Sequence, residues 1–84
     1  MNIEMDIVTK EMVQLQIQSL QAVLRVWDTN IDSYLETYSM MIKAPETFKQ
    51  ADIDWITGLL ETAQHQKEKT LAEIEVKKSV LSFL

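Results

Sequence analysis

Residues Val13–Met41 read VQLQIQSLQAVLRVWDTNIDSYLETYSMM, and the spacing within this stretch decides the fold. Val13, Ile17, Leu20, Leu24, Trp27, Ile31, Tyr34, Tyr38 and Met41 recur at alternating intervals of four and three residues, and all are apolar or aromatic. This is the repeat of a helix seam packed along a neighbouring helix. It predicts a helix over about residues 5–42. Its weak place is Asp28-Thr29-Asn30, three residues whose short polar side chains compete with helical backbone bonding, so a kink or short break is expected near 28–30 if anywhere.

A second row keeps the same spacing beside the first: Met5, Val8, Met12, Leu15, Ser19, Ala22 and Val26. At about 100° per residue its mean direction lies roughly 140–150° from that of the first row. One antiparallel helix can shield one of the two rows, and the other needs a different cover. The partner-binding residues predicted on this ground are Met5, Val8, Met12, Leu15, Ala22 and Val26, joined by Trp55 from the margin of the second helix. Methionine suits such a surface, because its unbranched side chain adapts to whatever packs on it.

Downstream, Lys43-Ala44-Pro45-Glu46-Thr47 reads as the connection, since proline disfavours helix at the residue before it and suits the first turn of a new one. Thr47 with Gln50 three residues on fits a capping box. The second helix is predicted over about 47–82, with Ile53, Ile56, Leu60, Ala63, Leu71, Ile74 and Leu81 on its core side and Trp55 and Leu59 widening it early. Gln64 to Thr70 contains no apolar residue and reads as solvated helix. Connections this short place helices antiparallel. The expected fold is therefore all-α, an antiparallel two-helix hairpin about 50 Å long. It forms a single domain over residues 1–84, completed by a partner or by self-association.

Composition supports this. One glycine and one proline in 84 residues leave room for few turns. A chain of this size is marginally stable alone and commonly relies on disulfides, a metal or association. There is no cysteine, and His65 is the lone histidine, so association is the route left; no metal or other cofactor is expected. The net charge is −5, of which −4 belongs to residues 1–42, where Lys10 and Arg25 stand against Glu4, Asp6, Glu11, Asp28, Asp32 and Glu36. An acidic first half argues against nucleic acid as a partner. No apolar run reaches the roughly 18–20 residues of a membrane span, and the acidic start lacks the basic beginning of a secretion signal, so a cytoplasmic location is expected.

Catalytic chemistry has little to build on: no cysteine nucleophile, no glycine-rich phosphate loop, no nucleophile elbow. Asp52 and Asp54 lie two apart on a helix, pointing about 200° from each other, and read as residues favouring the positive helix end. His65, between Gln64 and Gln66, reads as an exposed helical residue. Glu73 and Lys77 have the i, i+4 order of a solvated face. No enzyme and no small-molecule substrate are expected.

Pro45-Glu46-Thr47-Phe48-Lys49-Gln50, leading into Trp55, Ile56, Leu59 and Leu60, resembles the turn of the small helical-hairpin co-chaperones of bacterial type III secretion needles. The resemblance spans roughly residues 13–63. It implies a hairpin that binds a helical-repeat chaperone, the two together holding the needle subunit unpolymerised in the cytoplasm. The needle subunits are short hairpins with a proline turn as well, with an aromatic near the end of the last helix where this chain has Phe83; their tyrosine pairs, however, lie in the second helix, whereas Tyr34 and Tyr38 lie in the first. The function expected is thus a non-enzymatic adaptor or co-chaperone docking a helical partner. The alternatives are a self-assembling structural subunit and a small regulatory inhibitor of a host protein.

Overall fold

Two long helices account for the architecture. The computed structural model describes the backbone from Ile3 to Leu84 and the side chains from Thr9 onward. Helix α1 spans Ile3–Lys43 and α2 spans Gln50–Phe83, with no strand among the described residues. The two pack along each other as an antiparallel hairpin measuring 68 × 14 × 14 Å. It is longer than the expected 50 Å because α1 alone, 41 residues long, reaches about 61 Å at 1.5 Å per residue.

The first row of apolar residues forms the seam. Val13, Ile17, Ile31 and Met41 are buried, while Leu20, Leu24, Trp27, Tyr34 and Tyr38 are half-buried. Opposite them, α2 offers Ile53, Ile56, Leu60, Ala63, Lys67, Thr70, Ile74, Lys77 and Leu81 at the same alternation of three and four. Ile31, Leu60 and Ala63 form a buried cluster, with Trp27, Tyr34 and Tyr38 packed against it.

Helix α1 runs unbroken through Asp28-Thr29-Asn30. Thr29 Oγ1 donates to the carbonyl of Arg25 at 3.0 Å, which occupies the hydroxyl without diverting the helix. Asp28 Oδ1 meets Lys67 Nζ at 2.6 Å across the hairpin. The two side chains are 47% and 39% exposed, so the pair contributes little stability and serves mainly to align the helices. That alignment places Leu84 level with Glu11, and α1 continues about two turns beyond the end of α2.

Four expectations for α2 are corrected. It starts at Gln50, and Thr47 is not its cap, because Ala44-Pro45-Glu46-Thr47 closes a turn in which Thr47 N and Phe48 N both donate to the carbonyl of Ala44. The backbone N–H of Lys49 instead finds Asp52 Oδ2 at 2.9 Å, so the acidic residue at the third helical position reaches back to the cap. Leu71, expected in the core, is 41% exposed, and Thr70 takes the seam position at 6%. The stretch from Gln64 to Thr70 is therefore part of the interface: Lys67 lies half-buried over it, and Thr70 Oγ1 satisfies itself on the Gln66 carbonyl at 2.8 Å. Trp55, expected to widen the core, is 61% exposed.

Gly58 sits within α2 on its solvent side, and an added Cβ there would meet nothing within 4 Å. Gly58→Ala is expected to stabilise the hairpin by about 0.5–1 kcal/mol through reduced backbone entropy of the unfolded chain. A thermal melt followed by circular dichroism should show the midpoint rising by about 2–8 °C.

Candidate partner-docking face

Because the helices are antiparallel and share one heptad phase, equivalent positions on them lie on the same broad face of the hairpin. The groove lined by Gln14, Ile17, Gln18, Gln21, Lys78 and Leu81, and the one lined by Ile31, Gln64, Lys67, Glu68 and Leu71, both open on one of these faces. That face and its outer rim carry Glu11, Asp28, Asp32, Asp54, Glu61, Glu68 and Glu75 against only Arg25 and Lys78. The balance of these residues is −5, as large as the net charge of the whole chain.

The opposite face is different in kind. From α1 it receives Met12, Gln16, Ser19, Val23, Val26, Asn30, Ser33, Thr37 and Met40. Helix α2 adds Asp52, Trp55, Leu59, Thr62, Gln66, Lys69, Glu73, Val76, Val80 and Phe83. Its charged residues are Lys69 and Glu73, opposite in sign, and Asp52 at the turn end, where it caps α2. Met12, Val23, Val26, Met40, Trp55, Val76, Val80 and Phe83 are all exposed on it, Phe83 at 89%. Exposed apolar residues grouped toward the two ends of one face, with polar residues between them, mark it as a candidate interaction surface.

No family model, curated protein or solved structure matches the chain.

Of the residues singled out from sequence, Met12, Val26 and Trp55 stand on this face. Leu15 and Ala22 are exposed along its outer edge on the back of α1, where Ala22 and Val26 line a shallow depression with Arg25, Thr29 and Asn30. Met5 and Val8 lie outside the residues whose side chains are described. Sequence reasoning missed Val23, Met40, Val76, Val80 and Phe83. The signal for the last three was available: counting on from Trp55 and Leu59 in steps of three and four arrives at Val76, Val80 and Phe83 after a polar middle.

Elsewhere the polar groups are satisfied locally. Asp52 and Asp54 engage separate partners, Asp54 Oδ1 accepting from Gln50 Nε2 at 2.9 Å. Glu75 and Lys78 form an exposed pair at 3.9 Å. Among the described residues no group of three histidine, cysteine or carboxylate side chains could hold a metal ion, and no helix is long and apolar enough to cross a membrane.

Proposed function

We propose that the chain is a non-enzymatic protein-docking module, an adaptor or co-chaperone of the cytoplasm, that seats the helices of a protein partner on its apolar face. The observation that carries this reading is the separation of surfaces: one face holds most of the acidic charge, and the other exposes Met12, Val23, Val26, Trp55, Val76 and Val80, with Lys69 and Glu73 as the charges of its middle and Asp52 at its turn end. Depletion of charge with retention of aromatic and methionine side chains is what distinguishes the centre of a protein interface from ordinary surface. A long flat pair of helices complements helices lying along it, with residues spaced three and four apart as anchors. The likeness of the Pro45–Gln50 turn to the needle co-chaperones, which dock on a helical-repeat protein, supports the same reading.

The test is affinity capture with tagged full-length chain, wild type beside Val26→Asp. Val26 is 58% exposed, so the substitution should leave far-ultraviolet circular dichroism unchanged. The bound protein should be lost or reduced more than about tenfold, since a charge placed in an interface core goes unpaired. Equal capture by both proteins would sink the assignment of this face.

A further inference from the structure

We infer that a second copy of this chain covers the apolar face from Leu59 to Phe83, the two hairpins packing head to tail as a four-helix bundle whose two-fold axis passes between Lys69 and Glu73. The inference rests on the docking reading above and names its partner.

Three observations converge on a copy of the chain. The first is area. A compact monomer of this mass exposes about 5,200 Å², whereas this chain exposes 6433 Å². The surplus of about 1,200 Å² exceeds the roughly 800 Å² that each partner contributes to a standard interface. Elongation is the cause: the radius of gyration is 19.2 Å, against about 12 Å for a compact domain of this length.

The second is the placement of charge. Two chains of net charge −5 should repel. Packing through the charge-poor faces turns both acidic faces outward, separated by two helix layers of about 8–10 Å each. That distance is about twice the Debye length of ~8 Å at physiological salt, so the repulsion is largely screened.

The third is complementarity at the centre. Between Leu59 and Phe83, Lys69 and Glu73 are the charged residues of the face on α2, they are opposite in sign, and one turn separates them. A two-fold axis across the face at the level of Leu71 runs the two α2 helices antiparallel and sets Lys69 of each copy against Glu73 of the other. The same operation brings Leu59 level with Phe83 of the second copy, and Val23 of α1 within one residue of the level of Val26. A two-fold axis along the hairpin instead sets Lys69 against Val26, leaving a charge on an apolar residue. The head-to-tail arrangement is the one that satisfies both ions.

Sedimentation equilibrium of the full chain should give a dimer. Lys69→Glu and Glu73→Lys, each alone, place like charges across the axis and should weaken association about tenfold or more. Mixed in equal amounts, the two variants should regain the wild-type affinity as a heterodimer, because each then presents the opposite charge at both positions. Circular dichroism of each variant at dilution controls for loss of the hairpin. A monomeric wild type, single variants that dimerise undiminished, or a mixture no tighter than its components overturns the inference. A monomer that still captures a protein through Val26 overturns it while leaving the docking function standing.

Discussion

Ile56→Asp should abolish the folded hairpin, while Trp55→Asp, one residue earlier, should leave it intact. Ile56 is 1% exposed and is the largest side chain fully enclosed between the helices. Replacing it removes a buried aliphatic group, worth about 3 kcal/mol even when the substitute is alanine, and puts a carboxylate where no cation faces it. A chain of 84 residues has a few kcal/mol of stability to lose. Trp55 projects into solvent, so an aspartate there costs at most a few tenths of a kcal/mol. Far-ultraviolet circular dichroism at room temperature separates the two outcomes. Equal loss of helix in both would mean that the seam does not run where the structure puts it.

Replacing Lys67 and Thr70 together by Leu and Val should have the opposite sign and raise stability by about 2 kcal/mol. Both residues occupy seam positions that a continuous apolar row would fill. Lys67 is paired, but with a partly solvated Asp28, so breaking the pair costs little. Thr70 spends its hydroxyl on the carbonyl of its own preceding turn, and valine preserves its shape. The thermal midpoint should rise by about 8–16 °C for a chain of this size. The same replacement should weaken the fixed register, because a uniform apolar seam tolerates sliding where a polar position does not. Disulfide trapping between cysteines introduced at level positions of the two helices measures this: wild type should form one pairing, and the double variant neighbouring ones too. A double variant no more stable than wild type would show that the polar positions carry more of the interface than their partial exposure suggests.

These two predictions mark where sequence reading succeeded and where it stopped. The row from Val13 to Met41 could be read without error, because a repeat of three and four has one physical meaning and nine consecutive positions obey it. Helix α2 was harder. Its repeat passes through Lys67, Thr70 and Lys77, and a polar residue in a seam looks like solvent until the opposite helix is known. Asp28 explains Lys67 only across the hairpin, 39 residues back along the chain. Leu71 drew the reading one position off, since it is the apolar neighbour of the true seam residue. The cap of α2 was misplaced for a local reason: Thr47 has cap chemistry, but the turn at Pro45 already uses its backbone N–H.

The docking face was legible in halves. Met12, Leu15 and Val26 announce a second apolar row on α1, and their exposure follows once the first row is buried. Nothing in α2 alone says that Val76, Val80 and Phe83 stand beside that row, or that the carboxylates of both helices gather on the other side. By itself the sequence determined two helices, a turn at Pro45 and the seam of α1, all consequences of local periodicity. Only the tertiary structure decided which outer rows became neighbours. Antiparallel packing in a fixed register joins equivalent heptad positions from distant parts of the chain, and through it a scattering of charges became one acidic face and one apolar face.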